Sequence, residues 1–232
     1  MKFSILFDNF PFDDKLQTLW GFSCLIELKN KKILFDTGSN GRVLLKNAKK
    51  MGIDFKDIDI VFISHNHWDH IGGLDTIIEE NPRITLIVPN TLSKFLLNDL
   101  KKLVKEVIVI DEYFTKFDNN LYSTGILGNT TKEQALVIKE NNELFIISGC
   151  SHPGINYIEQ KVFNTLNRPI KYIIGGFHLM NKTPLEIQKT TKNLKAEYIT
   201  ATHCTGEIAI RMLQIQYQNR FLNGGVGVEI KF

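Results

Sequence analysis

Cysteine is scarce in this chain: three residues in 232, at positions 24, 150 and 204. An odd number at such wide spacing argues against a disulfide-stapled scaffold, so free thiols and a cytoplasmic location are expected. Long apolar runs are missing as well. The N-terminal "MKFSILFDNF" is interrupted by Asp8, and no segment approaches the roughly 18 apolar residues of a membrane span, so neither a membrane anchor nor a signal peptide is expected. No dense block of one charge occurs. Lysine and arginine total 28 against 25 acidic residues, a net charge of +3, and the basic runs are only the pairs Lys49-Lys50 and Lys101-Lys102. A solvated surface follows, and no nucleic-acid partner is expected. Repeats, low-complexity tracts and linker-like shifts in composition are absent, so one domain over 1–232 is the expectation.

What remains is ordinary globular material. Hydrophobic residues make up 43% and charged residues 23%, enough for a sizeable core at this length. Short runs rich in Ile, Val, Phe and Leu predict strands at 3–7, 22–28, 32–35, 60–63, 84–88, 106–110, 135–139, 144–148, 172–174, 198–200 and 226–230. Helical patterns fall at 41–50, 74–80, 91–104, 155–166, 184–194 and 207–218. Thr183, Pro184 and Glu186 in "TPLEIQ" have the spacing of a capping box with proline at the first helical position. The strands around "ENN" read as a hairpin, so the sheets are expected to be mixed, in an α/β chain.

The strand ends carry the chemistry. "KILFDTG" ends at Asp36, "LFIISGCSHPG" at Cys150 and His152, "YIIGGFHL" at His178, and "YITATHCTG" at His203 and Cys204. "VFISHNHWDHIGG" holds three of the chain's six histidines, His65, His67 and His70, with Asp69 among them. Neutral imidazole and carboxylate oxygen are ligands for zinc, iron or manganese. Alternation along an extended segment would put His65, His67 and Asp69 on one face. A turn at His70, made possible by Gly72-Gly73, would bring it back. That pairing, His65 with His67 and Asp69 with His70, suits two ions better than one.

"SHNHWDHIGG" resembles the signature of the metallo-β-lactamase superfamily, and "LFDTG" resembles its upstream aspartate motif. The resemblance runs from Asp36 to His203. It implies a four-layer αββα sandwich of two mixed sheets with metals at one edge. It further implies that His65, His67 and His152 hold one ion while Asp69, His70 and His203 hold the second. The chain departs from the usual pattern in two places. "STGILGNT" has no histidine where many members carry one, and Cys150 stands where a bridging aspartate is usual. Cys150 could therefore bridge, bind one ion or bind none. The combination "GCSHPG", "GGFHL", "THCTG" resembles the subgroup that includes the archaeal dihydropterin-ribofuranosyl-aminobenzene-phosphate synthase, which joins a pterin methyl diphosphate to an aryl amine. In that setting His178 lines the pocket, touching a substrate anion or moving a proton.

The expected activity is metal-dependent hydrolysis of an ester- or phosphoester-type small molecule by two divalent ions, zinc foremost. Asp69 is the expected catalytic residue, as ligand and proton acceptor together. Asp36 is expected to orient the loop or a ligand histidine from behind. A synthase-like transferase is the alternative within enzymes, and a metal-retaining, non-enzymatic binder is the alternative outside them. Oxygen chemistry at a diiron site is disfavoured because position 67 is histidine, not glutamate.

Overall fold

The structure, a computed structural model, describes all 232 residues. Its strands are β1 (Lys2–Phe7), β2 (Ser23–Leu28), β3 (Lys31–Phe35), β4 (Ile60–Phe62), β5 (Thr85–Pro89), β6 (Glu106–Ile110), β7 (Thr115–Asp118), β8 (Leu121–Ser123), β9 (Leu136–Glu140), β10 (Glu143–Ser148), β11 (Ile170–Gly176), β12 (Tyr198–Thr202) and β13 (Glu229–Lys231). The helices are α1 (Gly41–Lys50), α2 (Trp68–Ile71), α3 (Leu74–Glu80), α4 (Lys94–Leu103), α5 (Ile155–Leu166), α6 (Pro184–Thr191) and α7 (Glu207–Tyr217). No helix is long and apolar enough to cross a membrane. Two compact units emerge: Met1–Asp111 with Gly224–Phe232, and Glu112–Asn223.

The first unit is built on a sheet of order β13-β1-β2-β3-β4-β5-β6. β13, β1, β2 and β3 pair antiparallel, whereas β3, β4, β5 and β6 run parallel. One face of the sheet packs Leu25, Leu34, Val61 and Leu86 against Leu44 and Ala48 of α1 and Ile77 of α3. Each fully buried aliphatic side chain there contributes about 1.5–3 kcal/mol. Helix α1 has the periodicity for this, with Val43, Leu44, Asn47 and Ala48 buried on one stripe, and Asn40 caps it by accepting from the Val43 amide.

The second unit has a sheet of order β12-β11-β10-β9-β8-β7. Here β12, β11 and β10 are parallel and β10, β9, β8 and β7 antiparallel. Val137, Ile146, Ile173 and Ile199 pack with Ile158 and Val162 of α5 and Leu213 of α7. The hairpin expected around "ENN" is present: Glu140 pairs with Glu143, and Asn141 and Asn142 take φ of 49° and 68°, the double left-handed turn that asparagine tolerates best after glycine. The capping box of α6 is complete, with Thr183 Oγ1 accepting from the Glu186 amide and the Glu186 carboxylate accepting from the Thr183 amide.

Two mixed sheets flanked by helices are the expected fold class. The expectations fall short at several places, among them the helix expected at 184–194, which ends at Thr191. β7 and β8 were not foreseen, because "TKFD" is short, polar and only partly buried, so no apolar alternation marks it. The predicted strand 226–230 shrinks to β13, because Gly225 and Gly227, at φ of 118° and 97°, leave the extended region on either side of Val226. Helix α4 begins at Lys94 rather than Thr91, because Ser93 takes the cap position and accepts from the Leu96 amide.

Candidate metal centre

Parallel strands end at the same edge, so the loops that leave them are neighbours. In the first unit this brings the residues after β3 beside those after β4, since Phe35 is in register with Phe62. Asp36 follows at once, at φ 53° and fully buried. Its carboxylate accepts the Ser64 amide and the Ser64 hydroxyl, each at 2.7 Å, and lies 2.7 Å from Nδ1 of His70. The Ser64 hydroxyl in turn lies 2.9 Å from Nδ1 of His65. The proton positions follow from the donor inventory. The serine hydrogen is given to Asp36, so Nδ1 of His65 carries the hydrogen that the serine oxygen accepts. Nδ1 of His70 likewise donates to the carboxylate. One buried aspartate thus sets the tautomer of two imidazoles and makes Nε2 the lone-pair nitrogen of both, the form a cation requires. Burial raises the Asp36 pKa from its ordinary value, with the His70 charge and the hydrogen bonds opposing it.

The cluster itself departs from the expected extended geometry. His67 is the cap of the one-turn helix α2, so Asp69 and His70 lie on a helical turn and not on a strand-like alternation. The physical reason is local: amides 70 and 71 both donate back to the His67 carbonyl. Asp69 Oδ2 still comes within 3.6 Å of His70 Nε2. Two donors on one tetrahedral ion sit roughly 3.4 Å apart, so this pair fits a shared cation or two adjacent ones. The His65 ring lies 4.5 Å from that of His67 and 4.2 Å from that of His70, centroid to centroid. Trp68 faces solvent, 62% exposed.

The glycines after the cluster act differently from the expectation too. Gly72 has an ordinary φ of −67° and Gly73 one of −104°. Their role is close approach: a Cβ on Gly72 would stand 2.5 Å from the Ser39 carbonyl oxygen, and one on Gly73 2.4 Å from that of Thr37. Thr37 completes the clamp. Its amide and hydroxyl donate to the His70 carbonyl at 2.7 and 3.0 Å, and its hydroxyl accepts from the Gly73 amide.

In the second unit, β10, β11 and β12 run parallel, with Ser148 opposite Gly175 and Gly176 opposite Thr202. The loop with Cys150 and His152, the turn at His178 and the turn at His203-Cys204 therefore leave one sheet edge together. Ser151, His178 and His203 all take left-handed backbone conformations, φ 59°, 52° and 51°. Each costs roughly 1–2 kcal/mol outside glycine, the kind of strain that gathers at functional sites.

That loop is organised by Glu133, which is 1% exposed. Its Oε1 accepts the amides of Gly149, Cys150 and Ser151, all at 3.0 Å, and the Ser148 hydroxyl at 3.1 Å, while Oε2 accepts the His152 amide at 2.8 Å. The His152 ring stands 4.4 Å from that of His178, and both line a cavity of about 570 Å³ together with Gly128, Asn129, Thr131 and Tyr157. Cys150 and Cys204 are buried, and their sulfurs and a His178 nitrogen lie within 4.8 Å of one another. The Cys204 interaction raises the His178 pKa against the effect of burial. Burial pushes the Cys204 thiol up, but hydrogen bonds with Cys150 and His178 and the nearby His203 outweigh it and hold the thiol low. His203 is fully buried.

Sequence reasoning assigned no role to Ser64, Thr37 or Glu133. Ser64 and Thr37 lie inside the quoted motifs, and their neighbours were the signal. Glu133 carries none: in "TTKEQALVIKE" it looks like any surface glutamate.

The donor chemistry fits divalent ions: three imidazoles and a carboxylate in one unit, imidazoles and thiols in the other. A family model described as "Anti-Pycsar protein Apyc1" matches residues 16–121. The chain is 32% identical to the 7,8-dihydropterin-6-methyl-4-(β-D-ribofuranosyl)-aminobenzene-5′-phosphate synthase of Methanocaldococcus jannaschii, over 91% of this chain and 90% of that protein. It is 30% identical to an uncharacterized protein of the same organism, over 96% and 97% of the two chains. A solved metal-dependent hydrolase of the beta-lactamase superfamily superposes with a TM-score of 0.81 at 27% identity, over 100% of this chain and 99% of that one.

Proposed function

The chain belongs to the metallo-β-lactamase superfamily, in one family with the archaeal synthase that it matches along nine-tenths of its length, and on that premise we propose that it is a metal-dependent hydrolase of a small ester or phosphoester. One observation carries the reading: the Asp36 carboxylate, through Ser64 and directly, presets both His65 and His70 with Nε2 as the donor nitrogen. A surface histidine cluster has no use for such an arrangement.

By this reading His65, His67 and His152 hold one ion and Asp69, His70 and His203 the other, zinc in both. When bound, such ions polarise an ester or phosphoryl oxygen and make water acidic enough to attack at neutral pH. The chain's own residues do the rest. Asp69 accepts a proton from the attacking water. Asp36 and Ser64 hold the imidazole rings in place and keep their outward nitrogens basic. His178, its pKa raised, donates a proton to the leaving group or binds a substrate anion. The cavity of about 570 Å³ is of small-molecule size, and no nucleic-acid partner is proposed.

The test is turnover of a panel of carboxylic and phosphoric ester substrates by purified protein, before and after chelation, beside metal analysis. Chelator-sensitive hydrolysis with about two ions per chain supports the proposal. Metal-free protein of undiminished activity refutes it. A second reading, a synthase-like transferase, is favoured by the 32% identity over nearly the whole of both chains. It predicts joining of a 7,8-dihydropterin-6-methyl donor to a ribofuranosyl-aminobenzene phosphate, and activity in that assay alone would replace the hydrolase. Retained ions with no turnover in either assay would leave a binding protein.

A further inference from the structure

The second unit contains two buried thiols, Cys150 and Cys204, that the hydrolase reading does not use, beside His178, whose nitrogen would be a ligand with a cation bound there and a proton donor or anion contact without one. We propose that Cys150, His178 and Cys204 form a thiolate-rich site for a thiophilic divalent cation. The two Sγ atoms and one imidazole nitrogen all lie within 4.8 Å of one another. Donors around one ion at the usual distances of about 2.3 Å to sulfur and 2.0–2.1 Å to nitrogen are roughly 3.4–3.8 Å apart. Side-chain adjustments of an ångström or less would close the cluster on an ion.

The backbone is shaped for this. The three residues come from three parallel strand ends, β10, β11 and β12, whose registers are fixed by the Ser148–Gly175 and Gly176–Thr202 pairs. Gly176 makes the room: a Cβ there would lie 2.5 Å from the Cys204 sulfur and 3.3 Å from the Cys150 Cα. The Cys204 thiol already points at the Cys150 backbone, 3.6 Å from its carbonyl oxygen. His178 is held at φ 52°, and it is exposed and lines the cavity, which provides an entry path.

Cys24 supplies the contrast within the chain. It is fully buried in β2, its sulfur lies 3.8 Å from a backbone carbonyl oxygen, and it belongs to none of the donor clusters. That is how a thiol used only for packing looks. Two thiolates and one imidazole favour zinc, cadmium or cobalt over magnesium or manganese. Cys150 then belongs with Cys204 and His178, and the carboxylate-and-imidazole centre keeps the harder donors.

The experiment is titration of the metal-free, reduced, full-length protein with cobalt(II) under argon, followed by absorbance. Thiolate-to-cobalt charge transfer in the near ultraviolet reports this site, and the weaker visible bands report the imidazole centre, so the two readings can fail separately. The expected result is a charge-transfer band that saturates at one cobalt per chain, survives Cys24→Ser, and is lost or at least halved in both Cys150→Ser and Cys204→Ser. His178→Ala should shift the band and weaken cobalt binding at least tenfold. Absence of the band in the wild-type protein overturns the proposal without recourse to any variant. So does a band that is lost in Cys150→Ser and unchanged in Cys204→Ser, which would place Cys150 with the imidazole ions instead.

Discussion

Replacing Glu133 tests whether one buried carboxylate builds the loop that bears Cys150 and His152. Its two oxygens accept five hydrogen bonds, four of them from consecutive amides of residues 149–152. In Glu133→Gln the shape is kept and the charge is not. Whichever way the amide is turned, its NH₂ group faces a backbone N–H. The least disruptive orientation sacrifices the His152 amide, leaving one buried donor unsatisfied at about 1–3 kcal/mol. The other four bonds lose their charge assistance, and they share one oxygen, so their losses do not add fully. A total near 3 kcal/mol is expected, which for a chain of this size is a fall in Tm of about 6–12 °C. Glu133→Ala strands all four amides, and the cost of about 5 kcal/mol or more approaches the stability of a typical domain. Thermal unfolding by circular dichroism should be recorded on chelator-treated protein, so that lost metal is not mistaken for lost structure. Hydrogen exchange supplies the local readout, with amides 149–152 protected in the wild type and fast in Glu133→Gln. A variant that melts within about 1 °C of wild type, with unchanged exchange at those amides, would refute the reasoning.

Asp36→Asn should lower metal affinity about 10–100-fold, because one carboxylate oxygen serves the Ser64 hydroxyl and His70 while the other accepts the Ser64 amide, and an amide side chain that keeps the first pair turns its NH₂ against that backbone N–H and loses the negative charge; competition with a chromogenic chelator measures it, and an unchanged affinity would remove Asp36 from the centre. Thr183→Ala should reduce Tm by about 2–4 °C through loss of an N-cap of about 1 kcal/mol, as differential scanning calorimetry would show. Glu159 is buried and accepts the amides of Lys195 and Ala196, and burial raises its pKa above the usual 4.5 against those bonds. The folded state therefore binds its proton more tightly, so its contribution is fully present below pH 4.5 and is lost as pH rises through the raised value. The Tm of Glu159→Gln relative to wild type should accordingly improve across that interval, and a pH-independent difference would contradict the sign. Gly72→Ala should disturb the cluster without touching a ligand, since its Cβ would collide with the Ser39 carbonyl; its metal content after dialysis should fall below that of wild type.

Period, composition and strand-end punctuation were enough to read the mixed sheets, the hairpin at Asn141-Asn142 and the capping box of α6, because each depends on residues within a few positions of one another. The same holds for the His65–His70 cluster as a set of ligand types. What no local reading could supply is the work of residues distant in sequence. Asp36 meets His70 across 34 positions, and Glu133 meets Cys150 across 17. In each case the partners are joined by strand pairing whose register is settled only when the sheet forms. Even within the cluster the local pattern misled, since backbone bonds to the His67 carbonyl wound it into a helical turn that side-chain alternation does not announce. The amino-acid order alone thus determined which donor atoms the chain possesses and which strand ends carry them. Tertiary structure decided which tautomer, which conformation and which neighbour each of them has, because buried hydrogen bonds between distant segments exist only once the sheets have brought those segments together.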